Sequence, residues 1–134
     1  MEFKDLVTLY FERSSAMQTF WSIYVTIALG LLAFIGSVKP SPERNLLAGI
    51  LSFSFVAFAA VNLDALVDVT IARNVAKELI SNFKPSATLT QEVIDKIMLT
   101  VRPPAVWTII VFHVTADILV LAGVWILTLR KGKA

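Results

Sequence analysis

Three long apolar stretches divide the chain, each bounded by charged or proline-bearing segments. The third, Ala105 to Leu129, reads AVWTIIVFHVTADILVLAGVWILTL. The first runs from about Thr19 to Val38. The second starts near Asn45, stays apolar to Leu63, then turns polar through Asp64, Asp68, Thr70 and Arg73. A helix of about 20 residues rises roughly 30 Å, the thickness of bilayer hydrocarbon. The pattern therefore predicts an all-α integral membrane protein with three transmembrane helices, at about 19–38, 45–71 and 105–129. Val75, Leu79, Ile80 and Phe83 keep helical spacing beyond the second span, so that helix is expected to continue to about residue 82.

Two further segments are amphipathic. Phe3, Leu6, Val7, Tyr10 and Phe11 share one helical face, with Glu2, Lys4, Asp5 and Glu12 on the other. An N-terminal amphipathic helix is expected there, lying in the membrane interface or packed on a partner subunit. A secretory signal is disfavoured by the late apolar onset, the acidic residues in its lead and the lack of an A-x-A site. Before the third span, Val93, Ile94, Ile97, Met98 and Val101 form the apolar face of a short helix, Gln91 to Val101. Thr90 is placed to cap it, and Glu92 stands in the first turn. Prolines in Lys39–Arg44, Lys84–Ala87 and Arg102–Pro104 separate the elements. The first of these connections is tight enough to make spans one and two antiparallel neighbours.

Composition supports this class. The 134 residues, one domain by length, are 57% hydrophobic and only 16% charged, far from a soluble average. A net charge of +2 that is scattered along the chain does not imply nucleic acid. The absence of cysteine excludes disulfides, thiolate metal sites and cysteine nucleophiles. Lys4, Arg13, Arg73, Lys77, Lys84, Lys96 and Arg102 fall on the N-terminal side, against Lys39, Arg44, Arg130, Lys131 and Lys133 on the other. The positive-inside rule then leans toward a cytoplasmic N terminus in a plasma or inner membrane.

Candidate chemistry lies within the spans. Trp107 and Trp125 stand 18 positions apart, roughly 27 Å along a helix, as two interfacial anchors would. Asp117 then falls near the bilayer centre and His113 about one turn shallower, on the same face. An aspartate at that depth costs roughly 2.5–3.5 kcal/mol if charged and unpaired. A carboxylate one turn from an imidazole can bond it and fix its tautomer. Asp64 on the second span is expected near the depth of His113, with Asp68 closer to the headgroups and Asn62 deeper. Thr26 on the first span belongs to the same layer. It sits in a stripe of small residues, Ser22, Thr26, Gly30, Ala33 and Ser37, which suits close helix packing. Asp68 is also positioned to pair with Arg73 or Arg102.

These residues support two readings. In the first, an oligomeric membrane protein binds or conducts protons or small cations. Asp117 and Asp64 are its carriers, His113 the titrating relay, and Thr26, Asn62 and Asp68 further candidates. In the second, an accessory or scaffold subunit of a larger membrane complex uses the cluster for helix packing and the amphipathic helices for docking. Neither reading assigns catalytic residues or a cofactor. One histidine and two aspartates, His113, Asp117 and Asp64, form at most a weak divalent-metal set. No lysine lies within a span to carry a Schiff base, and no nucleophile elbow or glycine-rich phosphate loop occurs.

Overall fold

The computed structural model describes residues 2–86 and 89–130. These residues form four helices and no strand: α1 (Phe3–Ser37), α2 (Pro42–Ser81), α3 (Gln91–Met98) and α4 (Val106–Leu129). Three of them, α1, α2 and α4, are long and apolar enough to cross a membrane. Each extended helix has a local cause. No proline or glycine interrupts Phe3 to Leu29, and the Glu2 amide donates to Asp5 Oδ2 at 3.0 Å, closing the first turn of α1. Pro42 opens α2 at its first helical position, where a missing N–H costs nothing. That start is three residues earlier than the apolar pattern suggests.

The N-terminal amphipathic stretch is not a separate interfacial helix. It is the first third of α1, which is 35 residues long, and its apolar face packs on the extension of α2. Leu6, Tyr10, Ala76, Ile80 and Val101 form a buried cluster there, flanked by Phe3, Val7, Phe83, Ile97 and Met98. The Phe3 and Phe83 rings meet edge to face at 5.1 Å. The amphipathicity thus marks a helix-to-helix contact within one chain, which periodicity alone cannot distinguish from a contact with lipid. Short α3 closes this base through Ile97 and Met98, with Val101 just beyond its end. It ends at Met98 rather than Val101, and Thr90 is its N-cap residue without a side-chain cap bond.

Buried positions on α1 are Leu6, Tyr10, Met17, Tyr24, Ala28 and Ile35. Their steps of four and seven keep them on one face of the helix, the spacing of a straight packed seam. Ala48, Phe55, Ala59, Asn62, Leu66, Val69, Ala76 and Ile80 answer them on α2. The small-residue stripe of Ser22, Thr26, Gly30, Ala33 and Ser37 lies outside this seam and is exposed throughout. The seam itself mixes large side chains with alanines, Ala28 on α1 and Ala48, Ala59 and Ala76 on α2. Close approach occurs instead between α1 and α4 at Gly123, where a Cβ would stand 2.9 Å from Leu32 Cδ2.

Two arginines brace the ends. Arg44, only 6% exposed, donates from Nη2 to the carbonyls of Ile35 (3.0 Å) and Leu127 (2.8 Å). One guanidinium thus ties the C-terminal turns of α1 and α4 to the first turn of α2, where helix dipoles favour a cation. At the other end Arg73 donates to Tyr10 Oη and Met17 Sδ, each at 3.0 Å, with its guanidinium 5.0 Å from the Tyr10 ring centroid. The expected pairing of Asp68 with Arg73 or Arg102 does not form, because Arg73 turns inward to α1 while Asp68 and Arg102 are exposed. Ala87, Lys131 and Lys133, counted above in a loop and a basic end, lie outside the described residues.

Candidate functional site

One polar chain crosses the bundle at the level where α1, α2 and α4 all meet. Tyr24 on α1 donates its hydroxyl to Asp117 Oδ1 at 2.8 Å. Asp117 Oδ2 lies 2.9 Å from His113 Nδ1, one turn earlier on α4. His113 Nε2 lies 3.2 Å from Asn62 Nδ2 on α2. His113 is completely buried, its ring 4.6 Å from Tyr24 and 5.6 Å from Trp21, centroid to centroid. The Asp117 side chain keeps 20% exposure.

An ionised Asp117 only accepts, so it takes the Tyr24 O–H and the His113 Nδ1–H as its two donors. In that arrangement Nε2 accepts from the Asn62 amide nitrogen, every group of the chain is bonded, and the chain carries one negative charge. Among the described residues no lysine or arginine pairs with that carboxylate; the ion-pair geometries are Lys96–Glu92 and His113–Asp117 itself.

Apolar layers enclose the chain at both ends. Toward the base stand Met17, Leu66, Val69 and Ile109; away from it Ala28, Phe55 and Ala59 pack with Val120 and Leu121. Beyond them lie Ile35, Ala48 and Val124. Asp117 opens laterally. A cleft of about 310 Å³ between α2 and α4 is lined by Val56, Ala59, Ala60, Leu63, Val114, Asp117, Ile118 and Leu121. A cleft of similar size between α1 and α2, lined by Ile27, Leu31, Phe34, Leu51, Ser54, Phe55 and Phe58, contains no ionisable side chain.

Of the sequence candidates, the structure brings together His113, Asp117 and Asn62. Thr26 points outward and bonds only the Ser22 carbonyl. Asp64 and Asp68 are exposed on the far side of α2, beside Val61, Ile71 and Val75. Asn62 and Asp64 are two positions apart, so a helix cannot turn both inward. The expected layer of Thr26, Asp64 and His113 is replaced by Tyr24, Asn62 and His113. Among the described residues no three His, Asp or Glu side chains converge as a metal site, and Asp64 stands apart from the other two candidates.

Tyr24 was absent from the sequence candidates. Its signal was the seven-residue spacing of Tyr10, Met17 and Tyr24, continuing a face already recognised at Leu6 and Tyr10. A tyrosine on a packed seam requires a partner for its hydroxyl, and Asp117 is at hand.

These features define a class: a helical protein with three helices of membrane-spanning length, joined by one buried polar chain. No family model, curated protein or solved structure matches the sequence, so the class is as far as likeness goes.

Proposed function

We propose that this is an integral membrane protein that binds a proton at the Asp117–His113 pair, with Asn62 as its gate. The observation that carries this reading is a buried, hydrogen-bonded Asp–His pair between apolar layers, with no lysine or arginine paired to it among the described residues. A charge there is costly in hydrocarbon, and ionisable residues at that depth serve by default as sites for protons or ions. The added proton goes to His113 Nε2, the ring nitrogen that is only accepting. It neutralises the pair and turns Nε2 into a donor. Asn62 must then rotate its amide to offer Oδ1, so proton binding on α4 is felt on α2.

His113 is the only histidine, so its side-chain nitrogen signals in lipid nanodiscs are unambiguous. With ¹⁵N-labelled histidine, Nε2 is expected to pass from unprotonated to protonated on acidification, and the Asn62 amide to respond over the same range. An imidazole that keeps one state wherever the protein remains folded would refute the proposal. The positive-inside count favours a cytoplasmic N terminus, and with it a cytoplasmic base of α1, α2 and α3.

The second reading, a subunit of an assembly of identical or different chains, draws on Asp64. This carboxylate is exposed two positions from Asn62, on a face where Val61 is 72% exposed. A surface that presents both is poorly suited to lipid and better suited to protein. Native mass spectrometry should show an assembly that Asp64→Leu reduces; monomers throughout would remove this reading.

A further inference from the structure

We infer that the cleft between α2 and α4 binds a lipophilic organic cation, which rests its charge on Asp117 in exchange for the proton of the Asp117–His113 pair. The inference rests on the proton-site reading and names what competes with the proton.

The lining of the cleft selects this ligand class. Its volume of about 310 Å³ lies in the range of small-molecule sites, roughly 300–1,000 Å³. Seven of its eight lining residues are Val, Ala, Leu or Ile, and the eighth is Asp117. A hydrated metal ion would have to exchange several water oxygens for one carboxylate, because no other polar group faces the cleft. A neutral acyl chain would fill the space but leave the charge of Asp117 facing hydrocarbon uncompensated. An apolar body with a positive centre satisfies both the walls and the charge.

Asp117 has the capacity for such a ligand. Each carboxylate oxygen accepts one internal bond, from Tyr24 or His113, while the pair of oxygens offers about four acceptor positions. Exposure of 20% leaves the carboxylate reachable from the cleft without opening the bundle. Ala59 and Ala60 make the room, and a larger residue at the exposed Ala60, which has no part in the hydrogen-bonded chain, would fill it.

The exchange balances in charge. A proton on Nε2 makes the pair neutral, so a cation then has no net charge to meet. Loss of that proton leaves one negative charge, which one monovalent cation neutralises. The groups facing the pair are Tyr24 from α1 and Asn62 from α2, while His113 and Asp117 both belong to α4. No second carboxylate or base intervenes among them, so one proton is released per cation bound.

The test uses the full chain in lipid nanodiscs with two probes of similar shape: cationic methyltriphenylphosphonium and neutral triphenylphosphine oxide. Binding is followed by equilibrium dialysis, and His113 by its ¹⁵N signals. Saturable binding of the cation is expected, with the oxide at least about tenfold weaker, a difference of roughly 1.4 kcal/mol. Cation affinity should fall on acidification, and weakly buffered protein should release a proton as the cation binds. Ala60→Phe should weaken cation binding while leaving the His113 titration in place. Equal binding of cation and oxide would overturn the inference, the cleft being an apolar groove only. Absence of saturable cation binding, with His113 titrating normally, would also overturn it and leave the proton site standing. An imidazole that does not titrate defeats the proton site itself, and pH-independent cation binding then overturns the exchange.

Discussion

Replacing Asp117 by asparagine should invert the tautomer of His113 at little cost in stability. With Asp117 ionised, Tyr24 O–H and His113 Nδ1–H both point at the carboxylate. An amide offers one acceptor and one donor in the same place. If its oxygen keeps the Tyr24 bond, its nitrogen faces Nδ1, which must then accept. The ring hydrogen moves to Nε2, and Asn62 rotates to present Oδ1. Every group remains bonded, and the chain loses its charge. Two charge-assisted bonds, each worth roughly 1.5–3 kcal/mol, become neutral bonds of roughly 0.5–1.5 kcal/mol. Hydrogen bonds between helices in membranes average nearer 0.6 kcal/mol, so a net loss of about 1–2 kcal/mol is expected. Asp117→Ala behaves differently, because it strands the Tyr24 hydroxyl and the His113 N–H at roughly 1–3 kcal/mol each, about 2–6 kcal/mol together. Stability is read from reversible unfolding in mixed micelles, and the tautomer from the two ¹⁵N shifts of the imidazole. An unchanged tautomer in Asp117→Asn, or equal destabilisation by Asn and Ala, would refute the directed network.

Two further substitutions probe the frame that holds the network. Arg44→Met removes both bonds to the Ile35 and Leu127 carbonyls; at roughly 1.5–3 kcal/mol each for a charged donor, a loss of about 3 kcal/mol or more should appear in the same unfolding assay. Gly123→Ala is expected to cost little, because its Cβ meets only the mobile end of Leu32, whereas Gly123→Leu should push α1 and α4 apart. A spin-label pair on those two helices would report the separation, and an unchanged distance in Gly123→Leu would contradict the close approach.

How far the sequence reveals this arrangement depends on which signal each residue carries. Apolar run length is a property of composition, so the three long helices and their breaks at Pro40–Pro42, Pro85 and Pro103–Pro104 are readable directly. His113 and Asp117 are also readable, since four positions on any helix share a face. Rotational phase against a neighbour is not written in one helix. Thr26 and Asp64 are polar residues at the right level, but level is only one coordinate. The phase of α1 is set by the buried stripe through Leu6, Tyr10, Met17, Tyr24 and Ile35, and that stripe admits Tyr24 and excludes Thr26. On α2 the seam runs through Ala59, Asn62 and Leu66, so Asp64 is left outside. The unbroken α1 escaped for a related reason. An amphipathic segment contiguous with an apolar one reads equally well as two helices or as one, until the partner for its apolar face is known.

The layers above and below the polar chain bear on whether such a site conducts. A proton path through the bundle needs donors and acceptors on both sides of the Asp117–His113 pair, and the chain instead ends at Tyr24 and Asn62, both on its own level. The flanking layers of Met17, Leu66, Val69 and Ile109, and of Ala28, Phe55 and Ala59, are apolar. Thr70 and Thr128 lie beyond these layers, but their hydroxyls are spent on the carbonyls of their own helices. For the proposed proton site, these layers favour binding with lateral exchange through the α2–α4 cleft over passage from one side to the other. In liposomes with an imposed pH gradient, the protein alone is expected to give no more proton flux than Asp117→Asn. A wild-type flux that Asp117→Asn abolishes would show that protons reach both sides of the pair, and the sealed-layer argument would fall.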